Sequence, residues 1–323
     1  MNRTSAYCTL ISFILLLMQA SLVEAISTEE LAHTCKVMES AISEISLEYD
    51  WYNIPAWTIK ELKDETGIKE VLVPKEGLRR FKLSASGLLI KRDPNDPNRG
   101  LPERLALEIS ETLVDEDGKT WDSIVKQAYN GKVFKTLRIG SPPQDYRIGS
   151  ISQQPAFMLR MSLTPIGFSV LRRSMSEVPG DRPLSTLLEQ KEFVHLDNTL
   201  QEVNGFNTIR ADFLGTTNKI VHLRTYFSLE HGYTPVRYEY MAGQDCVGFT
   251  VDVHSLEKVR QGFWFPIAGV ISRRDDKRAD AYIATSKILV NQGLADKHFD
   301  IDFPPGTKVW DRIKGIQYTI KSN

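Results

Sequence analysis

The chain has 323 residues, 41% of them hydrophobic and 25% charged, with a formal net charge of −1. That composition belongs to a folded globular protein and excludes disordered and collagen-like classes. The near-zero charge argues against a general nucleic-acid binder and against strong electrostatic docking on anionic lipid.

The first 25 residues read as a secretory signal peptide. Arg3 supplies the positive start, Leu10–Met18 the apolar core, and Val23-Glu24-Ala25 the small residues at −3 and −1 of a cleavage site after Ala25. The alternative is a membrane anchor, but the run falls short of the roughly 20 apolar residues a span requires. The expectation is export to the periplasm, with residues 26–323 forming one mature domain. Cys8 precedes the apolar run, whereas a lipid-attachment cysteine would follow it. Cys35 and Cys246 remain after cleavage, and two alternatives stay open for them. They form one disulfide closing a loop of more than 200 residues, or they are two separate buried thiols.

Ser27 or Thr28 caps a helix with Glu29 and Glu30 in its first turn. Leu31, Cys35, Met38, Ile42 and Ile45 recur at helical spacing and form a stripe suited to packing on a sheet. Strands are then expected at Ile45–Ile54, Arg79–Ile90 and Arg104–Val114, with a loop at 93–100. Asn130-Gly131 joins Ile124–Tyr129 to Lys132–Ile139 as a hairpin. Residues 140–190 differ in character, and prolines punctuate an apolar, helix-compatible stretch. They are read as an insertion of short helices, the last at Pro183–Gln190. The second half is strand after strand. Phe193–Val203 and Phe206–Phe213 turn at Asn204-Gly205, and His222–Glu230 and Pro235–Met241 turn around His231-Gly232. Val247–Val253, Phe263–Ser272 and Ala281–Val290 follow, and Lys314-Gly315 turns a last hairpin. About twelve strands joined by tight turns predict an antiparallel meander, too wide for a flat open sheet and therefore curved or partly closed.

Six histidines are present without a His-x-x-x-His pair, no Cys-x-x-Cys occurs, and no nucleophile elbow, Walker loop or dinucleotide fingerprint is found, so no metal or cofactor is expected. His195 and Asp197 share one face of a strand, as do Asp300 and Asp302. A solvated surface outweighs a catalytic or calcium-binding role for both pairs. The most distinctive feature is aromatic content on the later strands. From strand alternation, Phe213, Phe227, Tyr238, Tyr240, Phe249, Trp264 and Phe265 are candidates to line an apolar hollow, with Met158, Met161 and Phe168 reaching it from the insertion. The plainer alternative is that these residues are solid core.

Several segments carry a family likeness: Val203-Asn-Gly-Phe-Asn-Thr-Ile-Arg, His231-Gly-Tyr-Thr-Pro-Val-Arg-Tyr-Glu-Tyr, Gly262-Phe-Trp-Phe-Pro, and Phe299-Asp-Ile-Asp-Phe-Pro-Pro-Gly-Thr-Lys-Val. With the signal peptide and the N-terminal helix, the chain resembles exported bacterial proteins related to the periplasmic outer-membrane lipoprotein carriers, the LolA/LolB-like superfamily. The resemblance implies an α+β fold in which a strongly curved antiparallel half-barrel of about eleven strands carries helices as a lid over its concave face. It implies a non-enzymatic carrier that shields a lipid or lipoprotein acyl chain and exchanges it with inner- or outer-membrane handover proteins. The carriers' lid arginine is not assigned here, because Arg79, Arg80, Arg160, Arg172 and Arg173 all compete. The alternatives are an envelope hydrolase of a cell-wall polymer, using His195 and Asp197 or Asp300 and Asp302, and a non-catalytic envelope scaffold.

Overall fold

The computed structural model describes residues 25–55, 79–86, 104–114, 120–141, 146–153, 184–215, 217–243, 246–260, 262–274, 278–284 and 287–322. Helix α1 (Thr28–Ala41) begins with a capping box: Glu30 N–H donates to Ser27 Oγ at 3.2 Å and Ser27 N–H to Glu30 Oε2 at 2.8 Å. Its buried face is Leu31, Ala32, Cys35, Met38 and Glu39. The apolar stripe continues to Ile42 and Ile45, but the helix does not. Asn291 ends it from a distance: its Nδ2 donates to Ala41 O at 2.7 Å, and its Oδ1 accepts from the amides of Ser43 (2.9 Å) and Glu44 (3.0 Å). Those bonds satisfy groups at the helix terminus and turn the chain directly into a strand.

Among the described residues sixteen strands belong to one sheet, more than the dozen expected, because the Ala281–Val290 run divides in two, a strand forms at Tyr146–Ser152 and two short strands extend one edge. They are β1 (Glu44–Pro55), β2 (Arg79–Ser86), β3 (Arg104–Val114), β4 (Thr120–Tyr129), β5 (Phe134–Gly140), β6 (Tyr146–Ser152), β7 (Val194–Val203) and β8 (Phe206–Leu214). There follow β9 (Val221–Ser228), β10 (Thr234–Gly243), β11 (Cys246–Arg260), β12 (Phe263–Arg273), β13 (Arg278–Ala284), β14 (Leu289–Val290), β15 (Lys308–Asp311) and β16 (Ile316–Thr319). The spatial order is β16-β15-β6-β5-β4-β3-β2-β1-β13-β12-β11-β10-β9-β8-β7, with β14 also pairing β1. β1 therefore lies between two wings, β2–β6 on one side and β13 back to β7 on the other.

Most pairings are the expected antiparallel meander, but β15 runs parallel to β6, in register from Lys308↔Ile148 to Asp311↔Ile151. The insertion is corrected in the same region. Tyr146–Ser152 is not helical; it is a strand paired on both sides, with β5 and with β15. The segment's residues 154–183 lie outside the described residues. Its end forms helix α2 (Leu184–Leu188), within the predicted Pro183–Gln190.

Turn chemistry sets the hairpins. Asn204 (φ 53°) and Gly205 (φ 81°) both take the left-handed region, as a tight two-residue turn requires. At Asn130-Gly131 only the glycine does so. Asn130 Oδ1 accepts from the amides of Lys132 (3.1 Å) and Val133 (2.9 Å), which widens the turn and delays β5 to Phe134.

Candidate functional site

One face of the sheet carries the main apolar cluster. Phe213 of β8, Phe227 of β9, Tyr238 and Tyr240 of β10 and Phe265 of β12 meet there, as strand alternation placed them. Leu31, Cys35 and Met38 of α1, with Leu184, Leu187 and Leu188 of α2, pack into the same cluster. Phe227 and Leu188 are fully buried and Phe265 is 1% exposed, so these side chains are packed against protein in this structure. Trp264 lies elsewhere. Its neighbours Phe263 and Phe265 point inward, so Trp264 points outward, edge-on to the His231 ring at 4.5 Å with Lys258 Nζ 5.9 Å from its ring. Phe249 sits in β11 opposite Tyr240. Met158, Met161 and Phe168 fall outside the described residues, as do residues 1–24 and, of the five competing arginines, Arg160, Arg172 and Arg173; Arg79 and Arg80 belong to β2.

The two helices are tied down by polar contacts. Glu39, 6% exposed, accepts from Ser185 N–H at 2.9 Å and from the Ser185 hydroxyl. Burial pushes the Glu39 carboxyl above the usual carboxylate range, outweighing the bonds from Ser185. Burial likewise raises the Cys35 thiol and the Tyr238 and Tyr282 hydroxyls. Lys36 pairs with Glu189 at 3.1 Å and Lys191 with Glu29, and Asn198 of β7 donates to Ile26 O at 3.1 Å. Among the described residues, the Thr225 hydroxyl and the Tyr282 hydroxyl, both in this interior, have no hydrogen-bond partner. Cys35 is buried beneath α1, whereas Cys246 opens β11 and accepts from Arg274. Both are free thiols, so the structure takes the unbridged alternative.

The opposite face of β7–β11 holds an ion lattice that the sequence reading did not assemble. Cross-strand register aligns Asp197, Arg210, Tyr226, Arg237 and Asp252 in one row, with Asp212, Arg224 and Glu239 in the next. Arg224 Nε donates to Asp212 Oδ1 at 2.7 Å and Arg237 Nε to Asp252 Oδ1 at 2.5 Å. Arg210 joins Asp197 (3.1 Å) to Asp212 (3.5 Å), and Glu239 lies 3.5 Å from Arg224. Asn204, in the β7–β8 turn, donates to Asp252 at 2.9 Å. Asp212 and Asp252 are about 5% exposed, and the bonds to Asp212 raise the Arg224 guanidinium above its ordinary value.

These contacts occupy the first pair of candidate catalytic residues. Asp197 accepts from Thr199 and pairs with Arg210, which together hold its carboxyl below the ordinary range, while His195 is exposed. Asp300 lies at the far side of the sheet with Lys135 of β5. Burial alone would raise its carboxyl, but the 2.6 Å Lys135 contact and the Ile301 amide bring it below its usual value. Asp302 is exposed. The two pairs are not brought together.

A separate cleft of about 440 Å³ opens at the rim of the sheet, lined by Arg104, Asn130, Lys132, Asp296, Lys297 and Asp300. Arg104 begins β3, Asn130 and Lys132 form the β4–β5 turn, and Asp296 and Lys297 belong to a 3-10 turn at Asp296–Phe299. The Arg104 guanidinium lies 4.7 Å over the buried Phe299 ring and pairs with Asp296 and, at 3.8 Å, with Glu44.

No family model matches the chain, and no curated protein matches it. Among solved structures, it is similar to a DUF1329 family protein from Desulfovibrio piger (12% identity, TM-score 0.42, covering 84% of this chain and 95% of that one). It is similar to a domain named for outer-membrane lipoprotein sorting from Vibrio parahaemolyticus (8%, 0.42, 84% and 95%) and to a LolA superfamily protein from Nitrosomonas europaea (10%, 0.40, 87% and 100%). At these identities and TM-scores the likeness carries no conclusion about family or role, and the chemistry of the site rests on the chain's own residues.

Proposed function

We propose that this protein is an exported, non-enzymatic binder of a hydrophobic acyl chain, acting as a periplasmic carrier for a lipid or acylated protein. The observation that carries the reading is the inner face of β8–β12. Four strands contribute Phe213, Phe227, Tyr238, Tyr240 and Phe265 to one apolar surface, and its helical cover, α1 and the five-residue α2, is joined by a few polar ties. Displacing that cover exposes an apolar trough. Each methylene taken from water into it gains about 0.8 kcal/mol, so an alkyl chain needs little else. The unpartnered hydroxyls of Thr225 and Tyr282 are donors for the single polar end such a ligand carries. Export rests on the N-terminal segment, and α1 and α2 act in this reading as a movable lid.

The test is uptake of a fluorescent fatty acid by the purified mature chain, paired with native mass spectrometry of the protein isolated from the periplasm. Saturable uptake, with a bound lipid or acylated peptide that the probe displaces, is the expected result. A bare mass and no uptake would overturn the reading. It would favour the scaffold alternative, whose supporting observation is the full burial of Phe227 and Leu188 against protein.

A further inference from the structure

We infer that the rim cleft between the β4–β5 turn and the Asp296–Phe299 turn is a binding site for a phosphate group. Its charges divide into those that are matched and those that are not. Arg104 is committed to Asp296 and Glu44, and Lys135 to Asp300. Lys132 and Lys297 line the same cleft, and among the described residues neither ammonium has an ion-pair or hydrogen-bond partner. Asn130 adds a neutral donor: its carboxamide oxygen is taken by the Lys132 and Val133 amides, which leaves its Nδ2 for the cleft. Arg104, Lys132, Lys135 and Lys297 against Glu44, Asp296 and Asp300 leave the cleft and its immediate partners with a net positive charge, and the Lys132 and Lys297 ammoniums and Asn130 Nδ2 are its open donors for an oxyanion.

The floor is built in advance. The Arg104 side chain is 25% exposed, lies 4.7 Å over the Phe299 ring and pairs with the carboxylates of Glu44 and Asp296, so a ligand would meet a guanidinium already placed. The volume of about 440 Å³ accommodates more than a bare phosphate and fits one with its glycerol attached. The phosphate is free in solution or carried by a lipid headgroup, and the two titrations below distinguish these sources. The lipid as bearer rests on the acyl-chain reading above; the phosphate site itself does not.

The experiment is ³¹P NMR titration of the mature chain with inorganic phosphate and, separately, with dihexanoyl phosphatidic acid below its micelle concentration. Wild type is compared with Lys132→Glu/Lys297→Glu. Both side chains are exposed, so the variant should fold, which circular dichroism checks. Saturable binding of both probes, weakened about tenfold or more in the variant and by raised salt, is expected. Binding of inorganic phosphate alone would uphold the site and overturn the lipid as its bearer. No saturation by either probe, or equal binding by the variant, would overturn the site. Fatty-acid uptake measured on the same samples reads the acyl-chain proposal independently, so the failure of one is distinguishable from the failure of the other.

Discussion

Asp212→Asn is the sharpest test of the outer ion lattice. The Asp212 side chain is 8% exposed, accepts from Arg224 Nε at 2.7 Å and stands 3.5 Å from Arg210 Nε. Both arginines are about a quarter exposed. At an effective dielectric constant of about 20, unit charges about 4 Å apart attract by about 4 kcal/mol. Losing one partner of a buried pair typically costs about 3–5 kcal/mol. The partial exposure of the arginines places the expected loss near the low end, about 3 kcal/mol, for a melting shift of roughly 5–10 °C. Urea denaturation of Asp212→Asn, Arg224→Met and the double variant provides the assay. The double variant should be more stable than the sum of the single losses predicts, by about 1–3 kcal/mol of coupling. A single-variant loss under about 0.5 kcal/mol, or purely additive losses, would show that the lattice is solvated surface and refute the reasoning.

Glu39 should give stability a pH dependence of known sign. Its folded carboxyl holds a proton more tightly than the unfolded chain's. The native state therefore binds more protons above the ordinary value of about 4.3, and this residue's contribution falls as pH rises through the window above it. Glu39→Gln should flatten that component of the urea midpoint at pH values above the ordinary carboxylate range, and parallel profiles for the two proteins would sink the claim. A Cβ on Gly269 would come within 2.4 Å of Asp252 O and 2.5 Å of the Tyr282 hydroxyl, so Gly269→Ala should cost about 1–3 kcal/mol in a denaturation series, against little or nothing if the strands can part. Phe227→Ala empties a fully buried position and should cost about 3–5 kcal/mol.

What the sequence made legible was local. Ser27 with Glu30 marked the start of α1, and Asn204-Gly205 marked a hairpin, because each device is confined to a few consecutive residues. The end of α1 was not legible: the residue that stops it, Asn291, is 250 positions from Ala41. The parallel β15–β6 pair depends on sheet order, which periodicity does not encode. The same limit applied to the sites. Alternation showed that Arg237 and Glu239 share a face, but their lattice partners lie on β7, β8, β9 and β11 and become visible only through cross-strand register. The rim cleft joins side chains from β3, a hairpin turn and a 3-10 turn; the Asn130-Gly131 motif marks the turn, but nothing local brings the other two elements beside it.

The two wings of the sheet differ in a way that bears on how a ligand would enter. Register shifts occur in the β7–β8, β8–β9, β9–β10, β10–β11 and β11–β12 pairings, whereas β1 through β6 pair without one among the described residues. Each bulge bends its strand and increases local twist, so the β7–β12 wing is the less regular one. On that wing α1 runs from the Ile26–Asn198 contact at edge strand β7 to the start of β1. Those strands stand seven spacings apart, about 34 Å in a flat sheet, and the 14-residue helix covers about 21 Å of that. Arginines between carboxylates on neighbouring strands tie β7–β11 together on the face opposite the helices. In the proposed carrier reading a ligand enters from the helix-covered side. Asp212→Asn should accordingly lower the urea midpoint while leaving fatty-acid affinity within about twofold of wild type. A loss of affinity in step with the loss of stability would place the moving part in the sheet and not in the helices.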